Sequence, residues 1–377
     1  MSGILFIILF KIFYHEAHEE QKMLMNSICK ITEKVALNER INDKEALTLF
    51  TDADTLVLAD LADKRRKTLH PEPVVTYVVD RNINYTNVCV SGCLFCAFYR
   101  PLNHPDAYII SKEELKKKIE ETLSLGGTQI LLQGGMHPSL DLDFYTDLLR
   151  YIKENFSIHI HGFSPPEIAF LSEKSSLSIK DTINRLIDAG LNSIPGGGAE
   201  ILADEIRKRI SPNKCNAGKW LEVMKTAHKC GLKTTATMMF GHIEKPKHII
   251  EHLIKIRALQ DETGGFTAFI PWTFQPDNTR LHTQKATAVE YLRVLALSRL
   301  VLDNVPNVQA SWVTQGDKIA QVALAFGAND LGSTMIEENV VAAAGIKFRL
   351  PKEEMIRLIQ DAGYTAVQRD CFYNSVG

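Results

Sequence analysis

From about residue 80 onward, short β-branched or apolar runs alternate with amphipathic stretches of helical period. Several of these stretches stop at a glycine, as at Ala189-Gly190, Cys230-Gly231 and Ala362-Gly363. The pattern predicts strands over Ile83–Val88, Thr128–Gln133, Ile158–Gly162, Asn192–Pro195, Lys233–Met239, Phe266–Trp272, Asn307–Trp312 and Asp330–Gly332. Helices are expected over Ser111–Leu125, Asp141–Asn155, Ile179–Ala189, Trp220–Cys230, Lys247–Gln260 and Ala286–Leu302. Such repeated βα units imply an α/β fold, a full or partial (β/α) TIM-type barrel with its active site at the C-terminal strand ends.

The flanks read differently. Residues 26–73 predict two helices and a charged connection, in which Lys64-Arg65-Arg66-Lys67 reads as a solvated helix face. After Gly345, a helix over Lys352–Ala362 and an extended tail to Val376 are expected to pack on the barrel. Ile4 to Phe10 is apolar but far short of the ~20 residues that span a bilayer. It also lacks the basic start and cleavage site of a secretory signal. The expected division is therefore a non-native or disordered extension over 1–22, a helical segment over 23–73, a barrel over 74–345 and a C-terminal helix and tail over 346–377.

Composition narrows the class. The chain has 377 residues, 45% hydrophobic and 23% charged, with a formal net charge of −2, so neither nucleic acid nor an anionic membrane is an expected partner. A small-molecule substrate is. Of seven cysteines, Cys29, Cys215, Cys230 and Cys371 are scattered without framework spacing, which fits a reducing cytoplasm. The other three form one loop, Cys89-Val-Ser-Gly-Cys93-Leu-Phe-Cys96. Three thiolates on a tight loop can hold three corners of a [4Fe–4S] cube and leave one iron open to a substrate. Gly92 permits the turn, and Phe95 and Phe98 can shield the cluster from water. A structural zinc knuckle is the alternative, but zinc favours four ligands and no second cysteine pair is present.

Predicted strand exits carry further candidate chemistry. They include Gln133-Gly134-Gly135, His161-Gly162-Phe163-Ser164, Pro195-Gly-Gly-Gly-Ala-Glu200, Phe240-Gly241-His242, Trp272-Thr273-Phe274-Gln275, Trp312-Val313-Thr314-Gln315 and Gly332-Ser333-Thr334. Glycines admit close backbone approach, while amides, hydroxyls and aromatic rings suit a ribose, a base and an aryl group.

The loop spacing fits the radical S-adenosylmethionine (SAM) enzymes. In detail, Thr76 to Cys89 and Cys93-Leu-Phe-Cys-Ala-Phe-Tyr-Arg100 resemble the cluster region of the cyclic dehypoxanthinyl futalosine synthases of menaquinone biosynthesis. Ser164-Pro-Pro-Glu167, Thr234 to His242, Phe266 to Gln275, Ala310 to Gly316 and Glu337-Glu-Asn339 are similar to the same family. One departure is Met136, which follows Gly134-Gly135 where many radical SAM enzymes have an acidic residue.

The resemblance implies that Cys89, Cys93 and Cys96 ligate a [4Fe–4S] cluster and that Gln133, Gly134 and Gly135 lie beside the SAM methionine. Glu200 either bonds SAM or stands exposed in the first turn of a helix. His161, Glu167 and His242 are candidate bases for the final proton loss. Thr273, Gln275, Thr314 and Ser333 are candidates for binding substrate hydroxyls or its carboxylate. The implied reaction removes the C4′ hydrogen of dehypoxanthine futalosine and closes a ring onto its benzoate, with a flavodoxin or ferredoxin as electron donor. Aminofutalosine synthases and the deazaflavin-forming synthase subunit resemble the chain around the same loop and are the alternative. A cluster-only electron carrier would need a fourth cysteine ligand, and a metal-free barrel lyase would make the cysteines incidental.

Overall fold

A computed structural model describes residues 22–346 and 350–376; the expected N-terminal extension, apart from residue 22, lies outside them. Three helices open the chain, over 22–36, Asp43–Asp52 and Thr55–Leu69, where the sequence predicted two. Asn42 and Glu45 form a capping box at the second, and Asp54 caps the third. The basic run lies inside the third helix and is not simply a solvated face. Arg66 is buried, stacks on Tyr364 and donates to the carbonyls of Ala328 and Val74.

Strands β1 (Val74–Val78), β2 (Asp80–Asn84), β3 (Gln129–Gln133), β4 (His159–Gly162), β5 (Ser193–Ile194), β6 (Lys233–Phe240), β7 (Phe266–Thr273), β8 (Asn307–Val308), β9 (Asp330–Ser333) and β10 (Thr365–Gln368) follow. β2 to β8 make a curled parallel sheet in sequence order, with helices on its outer side. β1 lies in a second sheet between β10 and β9. Backbone hydrogen bonds link the two: Ala310 donates to Asp330, Ile336 to Asp80, and Asn82 to Glu337. The chain after β9 thus closes the curl between β8 and β2, and an interior space is enclosed.

Boundaries shifted where special chemistry intervenes. The first barrel strand is Asp80–Asn84 rather than Ile83–Val88, because Tyr85–Val88 already leads into the cysteine loop. β5 stops before Pro195, which has no N–H to donate. β8 ends at Val308, and Trp312 begins a short helix, Trp312–Gln315, instead of ending a strand. Helices that escaped the pattern include Pro165–Lys174, Asp204–Ile210 and Asp317–Ala323.

The C-terminal tail reaches the end of the barrel opposite the strand exits. Arg369, buried beside β9, makes a two-pronged contact with Asp330, from Nε to Oδ2 at 2.5 Å and from Nη2 to Oδ1 at 3.0 Å. Its guanidinium stacks on Tyr373. Cys371 and Tyr373 line the interior cavity with it.

Candidate active site

The cysteine loop is fastened on every side. Cys89 N–H donates to Arg100, Val90 to Met136 and Leu94 to Ile210, while Asn213 reaches the Ser91 carbonyl at 3.3 Å. Gly92 turns at φ +56°, as its place in the loop required, and the Arg280 guanidinium donates to its carbonyl. Hydrogen-bond donors converge on the sulfurs. Ser91 N–H lies 3.4 Å from Cys89 Sγ, Ser91 Oγ lies 2.9 Å from Cys93 Sγ, and the Tyr99 and Phe98 amides face Cys96. Burial pushes the Cys96 thiol up to about 11 despite those amides, so a thiolate here calls for positive charge such as iron provides.

The donor set fits a cluster and not a zinc ion. Among the described residues, the triple of His, Cys, Asp or Glu donors lying within 4.8 Å of one another is His159, His161 and Cys371; the three loop sulfurs stand wider. A tetrahedral zinc site, with Zn–S bonds near 2.3 Å, would bring them to about 3.8 Å.

Beside the loop lies a charge that sequence reading missed. Nζ of the partly exposed Lys214 is 2.7 Å from Oε1 of the buried Glu200 and 5.2 Å from the Phe95 ring centre. Burial works against its charge, but the Cys93 sulfur and the Glu200 carboxylate outweigh it and hold the lysine protonated. Glu200 is therefore neither an exposed first-turn residue nor free, and its φ of +45° is a strained conformation. Lys214 sits between two helices and carries no motif that could have flagged it.

The strand exits interlock through glycine. A methyl group at Gly134 would meet the Tyr85 ring at 2.6 Å, and one at Gly135 the Val88 carbonyl oxygen at 2.1 Å. The run Gly196–Gly198 packs against β6, Gln133 and Pro166, so close packing within the protein demands these glycines.

The three candidate bases separate clearly. Glu167 is buried, and both its oxygens are saturated, by Tyr85 Oη at 2.5 Å and Gly134 N–H at 3.1 Å on one side and by Ser164 N–H and Oγ on the other. It is an anchor for the Gly134 turn rather than a base. His242 is also enclosed: Nδ1 lies 2.9 Å from Glu244, and Nε2 lies 3.2 Å from the Met239 carbonyl. Only His161 of the three lines the interior cavity. Its Nδ1 meets Ser193 Oγ at 2.6 Å, and burial lowers its pKa to about 3, so the ring is neutral. The same hydroxyl bridges to His159 and Cys371.

The cavity holds about 270 Å³ and runs from Gln133 down to Arg369 and Tyr373. Trp272, Trp312, Ile270 and Leu131 give it apolar walls. Of the expected substrate contacts, Thr273 and Gln275 lie off this wall, and the Thr273 hydroxyl accepts from the Gln275 and Gln315 amides. Thr314 and Ser333 are on it, but Thr314 is paired with Ser311 and Ser333 donates to Asp80.

A parallel barrel with a three-cysteine loop at its strand exits defines an iron–sulfur enzyme. Residues 83–256 match the Radical SAM superfamily, and residues 263–376 match the CofH/MqnC C-terminal region. Cyclic dehypoxanthine futalosine synthase from Halalkalibacterium halodurans is 45% identical over 93% of this chain and 95% of its own. The synthase of that name from Streptomyces coelicolor is 43% identical, over 91% and 87%. 5-Amino-6-(D-ribitylamino)uracil–L-tyrosine 4-hydroxyphenyl transferase from Methanococcus aeolicus is 41% identical, over 89% and 96%. Among solved structures, methylornithine synthase covers 89% of this chain and 97% of its own with a TM-score of 0.71 at 18% identity. The hydrogenase maturase HydG from Carboxydothermus hydrogenoformans gives 0.74 at 15%, over 97% and 85%. The chain belongs to the radical SAM superfamily and, within it, to the family of the cyclic dehypoxanthine futalosine synthases and their transferase relatives. It is an enzyme that uses a [4Fe–4S] cluster and SAM. No described helix is long and apolar enough to cross a membrane.

Proposed function

We propose that the protein cyclises dehypoxanthine futalosine to cyclic dehypoxanthinyl futalosine. The observation that carries this reading is the near full-length likeness to two bacterial enzymes of that name, at 45% and 43% identity. Cys89, Cys93 and Cys96 would hold the cluster, and Gln133 with the Gly134-Gly135 turn would lie beside SAM. When bound, the two supply a 5′-deoxyadenosyl radical after one electron arrives from a small redox protein such as flavodoxin or ferredoxin.

The remaining work belongs to the chain. Ring closure joins two parts of one molecule, so the cavity must hold the C4′ hydrogen toward SAM and the aryl ring within reach of that carbon. Trp272, Trp312, Ile270 and Leu131 offer the ring apolar contact and keep water away. His161, neutral and held by Ser193, would take the ring proton on its free Nε2 as the cyclised radical gives up its odd electron to a one-electron acceptor.

The archaeal relatives favour a second reading, the transferase that their name describes. Anaerobic turnover with SAM, reductant and dehypoxanthine futalosine decides between them. Cyclised product appearing with 5′-deoxyadenosine supports the cyclase; deoxyadenosine with 5-amino-6-(D-ribitylamino)uracil and tyrosine alone supports the transferase.

A further inference from the structure

Most polar side chains on the cavity wall are already paired. Asp80 accepts from Ser333 and Gln129, Glu338 accepts from Asn82 and the Val340 and Val341 amides, and Arg369 is taken by Asp330. Among those that keep a free donor or acceptor, Gln133 and His161 already have roles, and the Tyr373 hydroxyl and Gln129 Oε1 are enclosed in the protein. Gln309 and Thr235 have no role so far.

Gln309, just past β8, has no side-chain hydrogen bond among the described residues. Its amide lies across Gly332, where a methyl group would stand 2.5 Å from Nε2 and where φ is +81°. The fold thus keeps a bare backbone beneath an unpaired amide. The Thr235 hydroxyl accepts the Gly196 N–H at 3.0 Å and retains its own hydrogen to donate. Phe269 pairs with Val308, which sets Gln309 level with Ile270, and Thr235 pairs with Ala268, so the two groups flank β7 on the inner face with Thr235 one inward position below Gln309.

Charge then selects the ligand. Arg369 is the one cationic side chain among the described residues on this wall, and Asp330 neutralises it, while Asp80 and Glu338 are carboxyls. A carboxylate entering here would find no free counter-charge. A hydroxyl both donates and accepts, which complements an amide beside a donating hydroxyl.

We propose that Gln309 and Thr235 form the subsite for the sugar hydroxyls of the substrate. The inference rests on the cyclase reading and adds the orientation of the substrate. The hydroxyls then face down into the barrel while C4′ faces up toward Gln133.

Calorimetry on anaerobic, cluster-loaded protein tests it. Gln309→Leu and Thr235→Val are each expected to weaken dehypoxanthine futalosine binding about 10-fold, with SAM affinity and iron content unchanged and with binding restored in Thr235→Ser. Unchanged substrate affinity in both variants overturns the subsite. Failure of the wild type to bind dehypoxanthine futalosine removes the cyclase reading instead, and crystals soaked in D-ribose or in benzoate then decide the subsite alone. Ribose bonded to Gln309 and Thr235 upholds it; ribose elsewhere or absent, or a benzoate carboxylate seated at Gln309, overturns it.

Discussion

Glu167 accepts the Gly134 N–H at 3.1 Å, so a buried carboxylate on one strand exit fixes the backbone of its neighbour. Charge-assisted bonds of this kind contribute roughly 1.5–3 kcal/mol each. Glu167→Gln should therefore lower thermal stability and, because the turn it holds lies next to Cys89, weaken SAM binding about 10-fold by calorimetry. Loss of stability with SAM affinity intact would confine Glu167 to a structural role.

Gly135 stands against the cluster loop, where a methyl group would lie 2.9 Å from Cys89 Cβ as well as 2.1 Å from the Val88 oxygen. Gly135→Ala must displace the loop. Reconstituted protein is expected to hold much less iron and sulfide than the wild type, and full cluster content would contradict the packing described.

Ser91 places its hydroxyl 2.9 Å from Cys93 Sγ. Hydrogen bonds to cluster sulfurs raise the reduction potential. Ser91→Ala should bind a cluster of unchanged stoichiometry whose midpoint, followed by EPR during a potentiometric titration, moves to more negative values.

Lys214 partners the buried Glu200, and removing the lysine strands that carboxylate at up to about 3 kcal/mol. Lys214→Met should be markedly destabilised, and Lys214→Met with Glu200→Gln should recover much of the loss. Denaturant titrations of the single and double variants provide the comparison.

Glu244 gives a pH signature away from the cluster. Burial pushes its carboxyl up, but the His242 ring and the Gly241 and His242 amides outweigh burial and hold it at about 2, below the ordinary 4.5. Its contribution, up to about 3 kcal/mol, is present above pH 4.5 and is lost as pH falls toward 2. The stability gap between wild type and Glu244→Gln should be open at neutral pH and close across that window.

The sequence by itself determined the βα alternation, the barrel class and the cysteine loop, because each depends on local spacing. Apolar period separates strand from helix, glycine marks helix ends, and a three-thiol loop needs only nearby residues. Inward alternation along β6 could also have pointed to Thr235. Tertiary structure alone decided what crosses long stretches of chain: the closure of the curl after β9, the Arg369–Asp330 contact, and Lys214 beside Cys93. It also decided which polar residues are free. His161, Glu167 and His242 look alike as strand-exit residues, yet only the folded chain shows two of them saturated by partners and one open to the cavity. Hydrogen-bond saturation is a property of neighbours in space, and sequence spacing does not encode it.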